Sequence, residues 1–368
     1  MLKYFFAFIM LIHGLIHCMG FAKAFGYGNI TAITKAISKS WGAFWLITAV
    51  LFTITAILWV LKKENWAIIA IAAVVLSQIV IIASWKDAKY GTIANLIILL
   101  VAIPALANMY FNNMVNKEVK TVFARIPHSD NTVITASMLT GLPPVIQKWL
   151  THSGVIGKQK TNTVRLKQKG TLKLKPDGKW MPFEASQYFT IEAPAFVWKV
   201  EVAMMPLITL YGRDKLEEGQ GELLIKALSV FTVAQDGNND KVNSASLIRF
   251  LSETSFFPTA ALSNYIKWEA IDSLSAKATM TCNHYTVSGI FTFTEAGDLV
   301  SFSANRYYGS NEKAGVEKWL VTVTGYANFN GIRIPYKNKV TWQLKTGDFT
   351  WAAIELTALE YNIPEVYP

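Results

Sequence analysis

Thr163-Val164-Arg165-Leu166-Lys167-Gln168-Lys169-Gly170-Thr171-Leu172-Lys173-Leu174-Lys175 is the stretch where the chain changes its period. Val164, Leu166, Gln168, Leu172 and Leu174 alternate with Arg165, Lys167, Lys169, Thr171, Lys173 and Lys175. One face is mostly apolar and the other almost wholly basic. A period of two is that of a strand lying with one face on a core and the other in water, as in an antiparallel sheet.

Downstream the same pattern recurs. Strands are expected around 183–191, 195–203, 222–233, 266–271, 276–281, 285–293, 299–305, 319–329, 332–344 and 350–361. Turn residues separate them at Pro176-Asp177-Gly178, Asp236-Gly237-Asn238, Ala296-Gly297-Asp298, Asn330-Gly331 and Thr346-Gly347-Asp348. Strands this close, with no helix between most of them, predict an antiparallel meander, and Asn330-Gly331 predicts a tight hairpin. Two helices interrupt the series. One covers 143–152, with Pro143-Pro144 at its start and Val145, Ile146, Trp149 and Leu150 on one face. The other covers 244–257, capped by Asn243 or Ser244, with Leu247, Ile248, Phe250 and Leu251 on its apolar face, and is stopped by Pro258. An open or half-barrel sheet with this one helix in its concavity encloses an apolar cavity.

Upstream the period is that of helices. Tyr4–Phe21, Trp41–Leu61, Trp66–Trp85 and Thr92–Phe111 are each about as long as the roughly 20 apolar residues that cross a bilayer. Trp41, Trp66, Trp85, Tyr90 and Tyr110 sit at their ends, where amphipathic rings prefer the interface. The expected organisation is a four-helix transmembrane domain over 1–111, a connector over 112–138 and a soluble α+β, mainly antiparallel domain over 139–368. Lys3 and Ala22-Lys23-Ala24 give the first run the look of a signal peptide, but three further spans favour a retained helix. With an even number of spans, six basic residues on the side of the termini face five on the other, which leans the soluble domain toward the cytoplasm.

Of the 368 residues, 52% are hydrophobic and 16% charged, against roughly 25% charged in ordinary soluble chains. Eight lysines against Glu64 and Asp87 before residue 112 account for +6 of the net charge of +10. That basicity flanks apolar runs and suits anionic lipid headgroups, not nucleic acid, which calls for a basic domain with interleaved aromatics. Cys18 lies in an apolar run and Cys282 in a predicted strand, so no disulfide is expected.

Leu11-Ile12-His13-Gly14-Leu15-Ile16-His17, Ser84 to Asn95, Gly141-Leu142-Pro143, Trp180 to Tyr188 and Phe256-Phe257-Pro258-Thr259 together resemble a family of uncharacterised bacterial membrane proteins of unknown function. The resemblance implies no activity. The ending Tyr326 to Pro335, followed by two more strands, looks like the lipoprotein-carrier fold. That resemblance implies an incomplete antiparallel barrel holding acyl chains under helices.

The candidate site residues fall into groups. His13 and His17 share one helix face inside a span, where ionisable residues carry function or hydrogen bonds between helices. Asp87, Lys89 and Asn95 lie where the third span passes into the fourth and form a headgroup site or a clamp. Glu184, Arg213, Arg249 and Glu253 are polar groups near element ends, with Arg213-Asp214 and Arg249–Glu253 (i, i+4) as ion pairs. Tyr188, Trp198, Phe250, Phe256, Phe257 and Trp268 are the expected wall of an apolar ligand site. The sequence holds no nucleophile elbow, phosphate loop, zinc spacing or cofactor motif.

The expected function is non-enzymatic: a multi-pass cell-membrane protein in the lipid bilayer, whose soluble domain binds a lipid or other apolar ligand. Two other readings stand beside it. One is an enzyme acting on a membrane-associated substrate, with Glu253 or Glu184 as acid or base. The other is a structural or regulatory partner of another membrane protein.

Overall fold

The apolar runs fold as helices and the alternating runs as strands of one sheet. The computed structural model describes residues 2–126, 131–309 and 314–368. The chain divides into two units, Met1–Asn112 and Asn113–Pro368.

The first unit holds α1 (Leu2–Phe25), α2 (Lys39–Val60), α3 (Trp66–Ala83), the short α4 (Trp85–Ala88) and the start of α5 (Gly91–Ala124). All but α4 are long and apolar enough to cross a membrane. Leu15, Ile57, Ile82 and Leu100 are exposed while Phe52, Ala70 and Ala73 are buried. Helices apolar on every side suit an apolar surrounding. Small residues bring them close. A Cβ on Gly20 would lie 2.1 Å from the Trp45 ring, so only glycine admits α2 at this separation.

The two polar groups expected here regroup. His13 Nε2 lies 2.9 Å from Asn95 Oδ1 and 3.2 Å from Ser77 Oγ, and Asn95 Nδ2 donates to Gln78 Oε1 at 3.0 Å. His17 Nδ1 donates to the His13 carbonyl at 2.9 Å. Asn95 therefore belongs with the histidines and not with Asp87. Asp87 accepts from Thr34 N at 2.8 Å and Thr34 Oγ1 at 2.9 Å, holding the loop before α2. Lys89 is exposed over the Tyr90 ring. The separation follows from helical geometry: Asn95 sits on the buried face of α5, whereas Asp87 and Lys89 precede that helix.

The expected connector, 112–138, begins instead as helix, since α5 runs on to Ala124. Val115, Val119, Val122 and Phe123 are buried at helical spacing, an amphipathic signal hidden among polar residues. Residues 127–130 of that segment lie outside the described residues. A 3-10 turn covers Ala136–Leu139.

In the second unit, α6 (Pro144–Ser153) starts on Pro143-Pro144 and ends at Gly154, which takes the left-handed conformation at φ 77°. The strands are β1 (Thr163–Leu172), β2 (Met181–Thr190), β3 (Ala195–Met205), β4 (Ile208–Glu217), β5 (Gln220–Ala227), β6 (Phe231–Gly237), β7 (Ile266–Ala270), β8 (Ser275–Cys282), β9 (Tyr285–Phe293), β10 (Leu299–Tyr308), β11 (Gly315–Phe329), β12 (Ile332–Leu344) and β13 (Gly347–Tyr361). They form a 13-stranded sheet in the order β6-β5-β4-β3-β2-β1-β13-β12-β11-β10-β9-β8-β7. All pairs are antiparallel, with β1 and β13 paired in the middle. The sheet is thus a meander cut once, between β6 and β7, and the chain crossing that cut carries α7 (Asp240–Glu253). α7 contacts β4, β5 and β6 from one end of the sheet and β8, β9 and β10 from the other. A sheet whose two ends meet one helix is a half-barrel closed by that helix. Bulges after Lys167, Ala203, Ile225 and Val323 help it bend.

Register explains the basic face of β1. Arg165 pairs with Glu360 at 2.9 Å and Lys169 with Glu355 at 3.5 Å, both on β13. Asn330 and Gly331 both take positive φ (53° and 78°), as the predicted hairpin needs. One expected strand, 222–233, is two strands, and β4 was not foreseen at all. The β3–β4 and β5–β6 turns place Leu207, Leu228 and Ser229 at positive φ, a conformation that glycine or asparagine would have marked more clearly. α7 also starts earlier than expected. Asn239, not Asn243 or Ser244, caps it by accepting from Val242 N at 3.0 Å. Asn243 is buried and accepts from Gly221 N at 2.7 Å, tying α7 to β5.

Candidate ligand-binding site

Between α7 and the concave face of the sheet lies a cavity of about 320 Å³. The alternation of each strand sends one row of side chains into it. Leu172 comes from β1, Phe183 from β2, Trp198, Val200 and Val202 from β3, and Leu210 from β4. Leu223 and Ile225 of β5, Leu299 and Phe302 of β10, Trp319 and Val321 of β11 and Val340 of β12 continue the wall. Phe256, in the 3-10 turn after α7, completes it. The volume falls at the lower end of the 300–1,000 Å³, roughly, that small-molecule sites span, and the lining is apolar with a few polar groups, as such sites are.

The polar groups centre on α7. Arg249 Nη1 lies 2.5 Å from Asp214 Oδ2, and Arg249 Nε lies 3.0 Å from Glu253 Oε1. Gln187 Nε2 donates to Glu253 Oε2 at 2.9 Å. The Arg249 guanidinium stacks over Trp198 at 4.6 Å, whose Nε1 donates to Gln168 Oε1 at 2.9 Å. Burial pushes the Glu253 carboxyl above the usual glutamate range, and Arg249 only partly offsets it. Burial also pulls Arg249 down, but Glu253 and Asp214 outweigh it and hold it above its usual value. Arg306, on β10, lies over the Trp319 ring at 4.9 Å and donates from Nε to the Ala245 carbonyl of α7 at 3.1 Å. Burial pulls Arg306 down to about 10, so it is still charged at neutral pH.

Of the expected wall residues, the structure brings Trp198 and Phe256 to the cavity. Phe250 and Phe257 instead pack on Phe189, with ring centroids 6.1 and 4.9 Å away, in the solid core beside it. Trp268 sits on β7 against Trp149 and Phe291 and donates from Nε1 to the Ala261 carbonyl. Tyr188 is on the opposite face of β2, between Phe123 and Tyr367, because odd-numbered positions of that strand point inward. We expect Trp198→Ala to weaken apolar-ligand binding about tenfold, or 1.4 kcal/mol. Trp268→Ala should cost stability and leave binding per folded molecule unchanged. Probe titration alongside thermal melts checks both.

Of the polar candidates, Arg249 and Glu253 line the cavity and form the expected i, i+4 pair. Arg213 and Asp214 are not a pair, since neighbours in a strand point to opposite faces. Asp214 points inward to Arg249, while Arg213 binds Glu118 at 3.2 Å and Glu222 at 3.0 Å. Glu184 lines an open groove with Lys169, Glu201 and Lys337, outside the cavity. Sequence reasoning missed Arg306, Trp319 and Trp351, all in the lining. Arg306 lies just beyond the strand expected over 299–305, so its inward position follows only from the full extent of β10, Leu299–Tyr308.

No curated protein matches the chain by sequence. Among solved structures, one similar to it is a domain described as an outer membrane lipoprotein-sorting protein, from Vibrio parahaemolyticus. It is 8% identical, with 59% of this chain and 91% of that chain covered and a TM-score of 0.35. A DUF1329 family protein from Desulfovibrio piger is 9% identical, with 60% and 91% covered and a TM-score of 0.34. A LolA superfamily protein from Nitrosomonas europaea is 9% identical, with 62% and 94% covered and a TM-score of 0.31. A family model described as a family of unknown function (DUF6544) matches residues 132–354, more than half of the chain, and the chain belongs to that family.

Proposed function

We propose that this chain is a membrane-anchored, non-enzymatic binding protein for a lipid or other apolar ligand held in the cavity beneath α7. The observation that carries the reading is the cavity itself. A partly open space of about 320 Å³ walled mainly by leucine, valine, isoleucine, phenylalanine and tryptophan loses the contacts that a filled core would make. An apolar guest restores them. The four long apolar helices supply the anchor.

One observation favours the enzyme reading. Glu253 is a carboxylate raised by burial in a concave site, the kind of group that serves as a general acid or base. Both of its oxygens are engaged, however, one by Arg249 and one by Gln187. That bracing suits a structural carboxylate better than a proton carrier.

Native mass spectrometry of the full chain, released from detergent, tests the proposal. A co-purified apolar molecule, or stoichiometric uptake of an added one, is expected. A chain that carries and takes up none would refute the reading.

A further inference from the structure

Four turns of the antiparallel sheet share one end: β1–β2, β3–β4, β5–β6 and β12–β13. The register fixes this, since Leu172 pairs with Met181 and Ala352, Met205 with Ile208, Ala227 with Phe231 and Leu344 with Gly347. Large apolar side chains stand exposed there. Leu174 and Trp180 come from β1–β2, Met205 and Leu207 from β3–β4, and Phe231 and Val233 follow the β5–β6 turn. Leu207 is 83% exposed and Phe231 65%. Single exposed apolar residues are ordinary, but a cluster of them at one end marks an interaction surface.

The same end is basic. Lys173, Lys175, Lys179 and Lys345 stand on the β1–β2 and β12–β13 turns, against Asp177 and Asp348. Lys173 Nζ lies over the Trp180 ring at 4.8 Å. Protein–protein interfaces are depleted in lysine. Apolar tips among lysines suit the headgroup layer of an anionic bilayer instead, where apolar groups sink toward the acyl chains and ammoniums stay with the phosphates.

Two further observations point to the same partner. Within the second unit, the end of α5 follows β4 in the same direction. Glu118 lies 3.2 Å from Arg213, and Arg125, just after the helix, lies 2.9 Å from Glu217 and 2.8 Å from Glu218. α5 therefore enters this unit from the Ile208 end, which is the end of the exposed tips. The residues before that entry in the chain are the apolar run Thr92–Phe111. The other observation concerns the cavity. Leu174 lines it and is also 62% exposed, so the cavity reaches the surface at this end.

We propose that this end of the half-barrel docks on an anionic bilayer surface, with Leu174, Trp180, Met205, Leu207 and Phe231 seated among the upper acyl chains and the lysines at headgroup phosphates. The cavity then opens onto lipid. That last step rests on the binding reading above, whereas the docking does not.

The test uses the full chain in nanodiscs, with Cys18 and Cys282 replaced by alanine and one new cysteine carrying an environment-sensitive fluorophore. Leu207→Cys reports on the tips. Glu192→Cys, exposed on the β2–β3 turn at the opposite end, is the control. In discs containing phosphatidylglycerol, nitroxide-bearing acyl chains are expected to quench the label at 207 and not the label at 192. Exchanging Lys173, Lys175, Lys179 and Lys345 for glutamine should lower the docked-to-undocked ratio about fivefold per lysine, the effect of one base near an anionic surface. An unchanged melting temperature shows that this variant is folded. Equal quenching at both sites, or at neither, overturns the docking and leaves the binding reading intact. Quenching at 207 that is as strong in discs of phosphatidylcholine alone overturns the assignment to anionic lipid. Protection of label 207 from a water-soluble quencher without quenching by lipid means that a protein surface covers the tips, and overturns the proposal too. Quenching at 207 in a chain that takes up no alkyl probe supports the docking and refutes the binding reading alone.

Discussion

Arg249→Met is expected to destabilise the second unit by about 3–5 kcal/mol, the usual cost of leaving a buried charge without its partner. Both Asp214 and Glu253 depend on this one guanidinium, at 2.5 and 3.0 Å. The triple variant Arg249→Met, Asp214→Asn, Glu253→Gln should recover most of the loss, because neutral groups of similar shape carry no desolvated charge. Chemical denaturation of the detergent-solubilised protein, followed by tryptophan fluorescence, gives both numbers. A single variant as stable as the parent would mean that the triad is not buried as described. Glu253 also sets a pH dependence. Its folded-state pKa lies above the unfolded one, so the folded state holds an extra proton between the usual glutamate value, about 4.3, and the raised value. Stability should fall as pH rises through that window, and Glu253→Gln should remove this component of the slope.

Filling the cavity should have the second large effect. Leu223 and Ile225 line it from β5, next to the sheet edge, and neither is fully buried. Tryptophan at both positions places two indoles in open space without forcing the packed core near Phe189. We expect apolar-probe affinity to drop at least about a hundredfold, or 2.7 kcal/mol, with a melting temperature equal to or above that of the parent. Probe titration of the amphipol-held full chain measures the first and a thermal scan the second. Unchanged affinity in a folded variant would place the ligand elsewhere.

Much of the architecture was legible because each unit obeys one period. The apolar runs near Ile9, Ala49, Val75 and Leu99 are too long for anything but helices, and the alternation from Val164 onward fixes which face of β1 is buried. What escaped was carried mostly by residues with a weak local signal. Leu228 and Ser229 take left-handed conformations that such residues rarely adopt, so the break between β5 and β6 is weakly marked, whereas Pro206 and Gly219 do bracket β4. The valines of α5 beyond Asn112 are buried at helical spacing, but the polar residues between them masked the pattern. The site was legible in part. Arg249 and Glu253 announce themselves as an i, i+4 pair, and Trp198 as an inward aromatic. The inward side of β2 was harder to read, because Gln187 occupies the buried row and Tyr188 the other. Arg306 has no sequence neighbour that marks it. Its role depends on β10 and α7 meeting across the gap between β6 and β7, a contact between segments some sixty residues apart.

An apolar ligand in the space beneath α7 is within reach of a photoactivatable alkyl probe, and cross-linking the full chain with one, followed by mass-spectrometric mapping of the modified peptides, shows where it binds. Labels should fall on the inward residues of β3 to β5 and on the turn holding Phe256, and should vanish in the Leu223→Trp, Ile225→Trp variant. Labels confined to the outer groove near Glu184, or to the four apolar helices, with that variant labelled as strongly as the parent, would contradict it.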